Sequence, residues 1–403
     1  MGSLLWLALG AFAVGTEGFM IAGLLPRIAA DLGVSISDAG HLVTVFGITY
    51  AIGSPIIAVL TGSIERKKLM LGALIAFGVG NILAAISTGF IGLLASRAIL
   101  ALTAGTFMPA AVAYAATTVA PERRGQAISV VYTGFTLALV VGVPLGSMLG
   151  TAFGWRSTFY GITVLAALSW IGIAAALKKL PGTATVGLRA RIAAIGIPGV
   201  PSILLLTILA LAGAFSSFTY FAPLLHDGFG VSEHGVALFL LLFGGAAFVG
   251  NLSGGYVADH IAPRRALALL AGLLALAFAA IPVAAGLPHI WAVAVVALAV
   301  IIWGVAGWCF LPIQQARLAA TAPTMVPVVV SLNGSAIYVG AALGSLLGGQ
   351  VIEHGAVQNT GWVGVACAMV ILLVLSVTGK QTRTLSDEER ATVAAELEVA
   401  GME

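Results

Sequence analysis

The chain has 403 residues, of which 60% are hydrophobic and only 8% are charged. Soluble domains carry roughly 25% charged residues, so this composition excludes a soluble enzyme and indicates a polytopic membrane protein. The basic residues behind the net charge of +3 are dispersed among short loops, which argues against a nucleic-acid-binding surface. Both cysteines, Cys309 and Cys367, lie inside apolar runs, so neither a disulfide framework nor a zinc site is predicted.

Twelve apolar runs are long enough to cross a bilayer as helices. The first run has no basic residue before it, and we interpret it as a retained helix rather than a cleaved signal peptide. In the first half the runs cover about residues 4–25, 39–61, 69–87, 91–116, 126–150 and 156–177, and in the second half about 201–225, 234–258, 265–285, 288–316, 325–350 and 361–379. The predicted fold class is therefore an all-α polytopic membrane protein with twelve transmembrane helices.

The polar segments divide the chain into four parts. We predict an N-terminal six-helix bundle over 1–178, a cytoplasmic linker over 179–199, a C-terminal six-helix bundle over 200–379 and a cytoplasmic tail over 380–403. In the tail, Ser386 and Glu389 have capping-box spacing, which favours a short solvated helix.

Lys and Arg residues predict the orientation. Fifteen lie in the loops of one side, only Arg27 and Arg156 lie on the other, and Arg97 falls inside the fourth run. Because basic loops stay on the cytoplasmic side, both termini and the linker are predicted to be cytoplasmic.

The two halves repeat. Residues 142–150 read GVPLGSMLG and residues 340–348 read GAALGSLLG, at an offset of 198. Residues 26–35 and 223–232 share a proline and a Gly-Val-Ser triplet at an offset of 197. A Gly-Trp pair also recurs, at 154–155 and 361–362. Parallel repeats that face each other around a midplane cavity form an alternating-access transporter architecture.

The repeated glycines recur every four residues and so lie on one helix face. Small faces let helices approach closely in a membrane, and proline bends a helix. A hinge role and simple tight packing both fit these hinge or packing candidates, which are Gly142, Pro144, Gly146, Gly150, Gly340, Gly344 and Gly348.

Two equivalent loops, one between the second and third helices of each half, combine glycine, an acid and a basic cluster. We expect their acids to pair across the two halves and to hold the cytoplasmic side closed. The alternative is that the basic residues only set the topology. The cytoplasmic gate candidates are Gly62, Glu65, Arg66, Asp259, Arg264 and Arg265.

Glu17 lies near the middle of the first run, where a charged carboxylate costs roughly 2.5 kcal/mol or more. Arg97 lies at a similar depth in the fourth run, so a charge pair is geometrically possible; outward snorkelling of Arg97 is the alternative. By the repeat offset their counterparts are near Ala214 and Val295, so the second half lacks both charges. Glu17, with Arg97, is the proton-coupling candidate; the alternative is that Glu17 is simply neutral and hydrogen-bonded or lies nearer the membrane edge.

Polar and aromatic residues in other runs are candidates for a substrate cavity, with interhelical hydrogen bonding as the alternative for each. They are Tyr50, Tyr132, Ser216, Tyr220, Asn251, Trp303, Gln314, Asn333 and Tyr338. The sequence has no phosphate-binding loop, HExxH motif or nucleophile elbow in a plausible context, so neither ATP hydrolysis nor another enzyme activity is predicted.

At these residues the sequence resembles the major facilitator superfamily, specifically its twelve-helix drug:proton antiporter branch. The resemblance covers nearly the whole chain. Its markers are GTEGFMIAGLLPRIAADLGVS in the first helix, the segment from Arg97 through PERRGQA, and Gly142-Val-Pro-Leu-Gly146. Within the branch it is similar to sugar-efflux, arabinose-efflux and chloramphenicol-exporter-like permeases. The loop motif departs from the family pattern, because Glu65 stands where Asp is usual and the first loop is short.

The resemblance implies a bacterial inner-membrane exporter of sugars or drugs, driven by a proton gradient and needing no other cofactor. Its implied partners are a small-molecule substrate, protons and the bilayer, with no nucleic acid, and the implied state is a monomer. A proton-coupled nutrient importer and a transport-inactive membrane sensor are the alternatives.

Overall fold

The computed structural model describes residues 2–120, 123–182 and 187–378, and every regular element in these ranges is helical. Twelve segments are long and apolar enough to cross a membrane, so the predicted all-α, twelve-span fold is confirmed. The helix predicted around Ser386 lies outside the described residues.

The first half contains α1 to α7, and a π-helical turn, Ala138–Gly142, joins α5 and α6 into one span. These helices are α1 (Leu4–Leu32), α2 (Ile36–Leu60), α3 (Arg66–Ile86), α4 (Phe90–Thr117), α5 (Arg124–Leu137), α6 (Val143–Phe153) and α7 (Trp155–Ala176).

The linker contains α8, and the second half contains α9 to α15 with 3-10 turns at Pro323–Met325 and Val357–Asn359. These helices are α8 (Leu188–Ile195), α9 (Val200–Phe218), α10 (Phe221–Phe229), α11 (Glu233–His260), α12 (Pro263–Ala284), α13 (His289–Thr321), α14 (Val326–His354) and α15 (Thr360–Thr378).

The repeated Gly-Val-Ser triplet ends one helix and starts the next in both halves. Gly33 and Gly230 follow α1 and α10 with φ of 64° and 66°, a left-handed conformation that glycine adopts without steric cost. Two residues later, Ser35 and Ser232 cap α2 and α11 by accepting hydrogen bonds from backbone N–H groups. The Gly-Trp match is not equivalent, because Gly154 has φ of 84° between α6 and α7, whereas Gly361 lies inside α15.

The seventh span departs from the prediction of one continuous helix over 201–225. It breaks after Phe218 and resumes as α10 at Phe221. Pro223 has no N–H to donate to the carbonyl of Thr219, which favours the break. Its counterpart in the repeat, Pro26, lies inside the unbroken α1.

The glycine ladders pack within each half. The ladder of the fifth span, at 142, 146 and 150, faces Thr16, Met20 and Leu24 of α1. The ladder of α14, at 340, 344 and 348, faces the backbone of α9 from Ile208 to Ser216. The halves meet where α2 packs on α14 and where α11 packs on the π-turn and α6. Most buried apolar residues before 178 form one cluster, and a second cluster lies almost entirely after 205.

Candidate functional site

A central cavity of about 1000 Å³ lies between the two halves. This volume is at the upper end of what small-molecule pockets usually provide. Five of the nine predicted cavity residues line it, namely Tyr50, Tyr132, Asn251, Trp303 and Tyr338. They come from α2, α5, α11, α13 and α14, so both halves contribute to the wall.

Four predicted cavity residues do not line it, and the prediction is wrong for them. Ser216 donates to the carbonyls of Gly213 and Thr360, and Tyr220 donates to the carbonyl of Ser345 at 2.8 Å. Gln314 donates to the Ile203 carbonyl at 2.8 Å, and Asn333 accepts from Thr207 at 2.9 Å. All four side chains are buried, so interhelical hydrogen bonding accounts for them.

The prediction missed an aromatic group on the cavity wall: Phe19, Phe215, Phe218, Phe243 and Trp308. Their rings contact one another: the ring centroid of Phe19 lies 6.2 Å from that of Phe215 and 6.3 Å from that of Trp308. One signal was available, because Phe215 and Phe218 are three residues apart and therefore share a helix face.

The charged side chains on the described part of the cavity wall are two arginines, Arg66 and Arg191, with no carboxylate. Arg191 extends from α8 and donates to Ser331 of α14 at 3.0 Å. Its partial burial lowers the pKa of the guanidinium, but arginine remains protonated. The linker helix, which the sequence did not predict, thus contributes to the cavity.

Glu17 and Arg97 form an ion pair between α1 and α4, and neither side chain is exposed to solvent. Arg97 also donates from Nε to the Leu42 carbonyl at 3.2 Å, and its guanidinium lies 4.4 Å from the centroid of Phe46. The predicted pairing is confirmed, and outward snorkelling of Arg97 is wrong. Glu17 Oε2 and Arg97 Nη2 have no hydrogen-bond partner in the described chain.

Among the described residues, Glu65 and Asp259 form no ion pair with the opposite half. Glu65 precedes α3, and its Oε2 lies 3.9 Å from Nζ of Lys68 in that helix, whereas Asp259 is exposed. Arg264 donates to the Leu375 carbonyl, also within its own half. The physical reason is the cavity itself, because it extends to Arg66 and Gly255 and so separates the halves at this end. The backbone carbonyl of Gly62 packs against Gly182 of the linker.

The opposite end of the molecule is closed by contacts between the halves. Arg27 of α1 pairs with Glu233 of α11 at 2.6 Å. Ser345 of α14 donates to the Gly40 carbonyl of α2 at 2.8 Å. The structure is therefore open at the end that carries Arg66 and closed at the end that carries Arg27.

Comparison with known proteins agrees with this architecture. The profile of the Major Facilitator Superfamily matches residues 7–345. A chloramphenicol resistance protein of Streptomyces lividans is 34% identical over 380 residues, which cover 92% of this chain and 93% of that protein. The inner membrane transport protein YdhP of Escherichia coli K12 is 30% identical, with coverage of 95% and 97%.

A solved structure has a similar fold. It is a bacterial homologue of the human lysosomal transporter Spinster in an inward-facing, unoccupied conformation, with a TM-score of 0.69 and 16% identity. The similarity covers 93% of this chain and 94% of that chain.

Proposed function

Because the chain belongs to the major facilitator superfamily, whose members are membrane transporters and not enzymes, we propose that it is a proton-coupled exporter of small organic molecules. The observation that carries the proposal is the Glu17–Arg97 pair. Glu17 is the only acidic side chain that is buried in the described residues. Ionisable residues inside the membrane mark ion and proton pathways.

The proton step follows from the charges of the pair. Arg97 neutralises the Glu17 carboxylate in the conformation described. When the two side chains separate during the transport cycle, a bound proton neutralises Glu17 instead, because an ionised carboxylate without a partner is costly in the apolar interior. Substrate in the central cavity and a proton on Glu17 then compete, and this competition couples export to proton entry.

The test is proton-driven transport by Glu17→Gln in sealed proteoliposomes, with Glu353→Gln as the matched control. Glutamine keeps the size of the side chain but binds no proton. We expect Glu17→Gln to lose proton-driven export, whereas Glu353→Gln keeps it, because Glu353 is exposed near the end of α14. Full pH-driven export by Glu17→Gln would contradict the proposal.

The cavity favours an uncharged, partly aromatic cargo. Its wall is mainly apolar and presents aromatic rings for stacking, and its described residues include no carboxylate that could pair with a cation. The relative named for chloramphenicol resistance supports the same class. We therefore propose a chloramphenicol-like compound or a sugar in preference to a lipophilic cation.

Thermal unfolding of the purified protein with chloramphenicol, arabinose and tetraphenylphosphonium tests the cargo class. A compound that binds the folded state raises the midpoint of unfolding. We expect a shift with chloramphenicol or arabinose and none with tetraphenylphosphonium. A shift with the cation alone would overturn the proposed cargo class and leave the proton step untouched.

Direction and topology complete the proposal. The basic loops predict that the open end and both termini face the cytoplasm. We further propose that the protein lies in the inner membrane and works as a monomer. Proteoliposomes with a fixed orientation separate the alternatives. Protons that move against the cargo indicate export, protons that move with it indicate import, and no substrate-dependent proton movement indicates a sensor.

A further inference from the structure

A small second cavity of about 20 Å³ is lined by Arg97 of the ion pair and by Gly18, the residue that follows Glu17. Four of its lining residues also line the central cavity: Phe19, Phe215, Tyr338 and Ala341. A single layer of side chains therefore separates the two spaces. The small cavity has room for about one water molecule, since a water needs at least roughly 10–15 Å³.

We call Phe19, Phe215 and Tyr338 the aromatic wall. Phe19 lies on α1, whereas Phe215 and Tyr338 lie on α9 and α14, so the second half supplies two of the three rings. Tyr338 stacks on Tyr50 of α2 with centroids 3.8 Å apart, and this contact crosses the interface between the halves. The wall is closed only while the two halves keep this arrangement.

Arg97, the partner of Glu17, lies directly behind the wall. Arg97 and Tyr338 both line the small cavity, and the ring of Phe46 lies against both, 4.4 Å from the Arg97 guanidinium and 5.8 Å from the Tyr338 ring. Arg97 Nη2 has no hydrogen-bond partner in the described chain although it is buried. Buried polar groups of this kind are usually satisfied by ordered water when a cavity of sufficient size adjoins them.

We propose that the aromatic wall controls proton access between the central cavity and Glu17, and that the small cavity holds one water molecule against Arg97. This inference rests on the proposed proton-binding role of Glu17. In the ion-paired conformation the wall is closed, so a proton in the open cavity does not return to Glu17. Movement of the halves separates Tyr338 from Tyr50, opens the wall and connects the carboxylate to water.

The test is chemical access to Glu17 from water, which requires neither cargo nor transport. A water-soluble carbodiimide with glycine ethyl ester converts an accessible carboxyl group to an amide, and peptide mass spectrometry measures the rate at Glu17. In Tyr338→Ala we expect this rate to rise at least about tenfold, which corresponds to about 1.4 kcal/mol less barrier to access. No increase in Tyr338→Ala would overturn the proposal.

Matched variants distinguish opening of the aromatic wall from a general increase in water access to the protein interior. Tyr338→Phe keeps the ring and is expected to label at the wild-type rate. Tyr132→Ala removes another cavity tyrosine that does not line the small cavity, and it is also expected to leave the rate unchanged. An equal increase in Tyr132→Ala would overturn the proposal. Phe215→Ala provides a second opening of the wall if Tyr338→Ala does not fold.

The outcome for the wall is distinguishable from the outcome for the proposed function. Proton-driven export by Glu17→Gln reports on the proton role of the carboxylate, whereas labelling of Glu17 reports only on water access. If Glu17→Gln loses proton-driven export but Tyr338→Ala and Phe215→Ala leave the labelling rate of Glu17 unchanged, the proton role of Glu17 stands. The proposed control of access by the aromatic wall is then wrong.

Discussion

The two halves share a scaffold but differ in chemistry at the depth of Glu17. In the first half Glu17, Arg97 and Phe46 form a charged site. At the positions that correspond by the repeat offset, the second half has Ala214, Val295 and Phe243. Phe243 instead packs at 5.0 Å against both Phe218 and Trp303. The two halves thus share a helix arrangement, but the first half carries a buried charge pair where the second half carries packed aromatic rings.

The glycine ladders differ in the same sense. An added Cβ at Gly344 would lie 2.3 Å from the carbonyl oxygen of Ala212, and one at Gly348 would lie 2.3 Å from that of Ser216. At Gly146 the nearest atom is the methyl group of Thr158 at 3.2 Å. The second-half ladder is in backbone contact, whereas the first-half ladder faces side chains beside a π-turn. We infer that any hinge lies in the first half.

The largest loss of stability is expected when the buried charge pair of the first half is disrupted. Arg97→Leu leaves Glu17 buried without a partner, and we expect it to destabilise the protein by about 3–5 kcal/mol. The change at the counterpart position, Val295→Leu, adds one methylene at a half-buried site and introduces no unpaired charge, so it is expected to cost less. Thermal unfolding in detergent measures both, and the double variant Glu17→Gln/Arg97→Leu should recover much of the loss. Equal stability of the two single variants would show that the halves do not differ as described.

A smaller loss of stability is expected when alanine replaces a glycine of either ladder. Gly344→Ala forces α14 away from the backbone of α9 and is expected to cost about 1–3 kcal/mol. Gly146→Ala meets only a methyl group that can move, so its cost should be smaller. Gly334 of α14 has no atom within 4 Å of an added Cβ, which makes Gly334→Ala the control. If Gly146→Ala proves the more destabilising change, the first-half ladder is the tighter one.

The smallest effect concerns the polar contacts of the second half. Thr207 donates to Asn333 and accepts from Gln314, and we expect Thr207→Val to cost about 1 kcal/mol while the ratio of protons to cargo stays unchanged. Thr163→Val in the first half removes only a bond to its own helix and serves as the control. A changed ratio of protons to cargo in Thr207→Val would show that the second half takes part in coupling, although none of the buried acids described lies there.

Much of the fold was predictable because the twelve apolar runs and the repeated Gly-Val-Ser triplet, which ends one helix and starts the next, are local features of the sequence. The pairing of Glu17 with Arg97 was also predictable, since both charges are expensive and lie at one depth. The break after Phe218 was not predictable, because Pro26 and Pro223 occupy equivalent positions and only one interrupts its helix. Surrounding contacts decide between the two outcomes, such as the bond from Tyr220 to Ser345.

The cavity was only half predictable for a related reason. Polar residues inside a membrane either face water or bond to a neighbouring helix, and the sequence does not distinguish these cases. Gln314 bonds to a neighbouring helix, whereas the adjacent Gln315 lines the cavity. The gate contacts stay a prediction, because motif residues indicate which groups can meet but not in which conformation they do so, and this structure is open at that end.

The Glu17–Arg97 pair has a consequence for voltage. The ion pair carries no net charge, but a proton on Glu17 leaves the positive charge of Arg97 uncompensated. For exchange of one proton against an uncharged cargo, each cycle moves one elementary charge across the membrane. A membrane potential of 100 mV then contributes about 2.3 kcal/mol per cycle. The electrical potential would thus drive accumulation outside the cell even when the pH is equal on both sides.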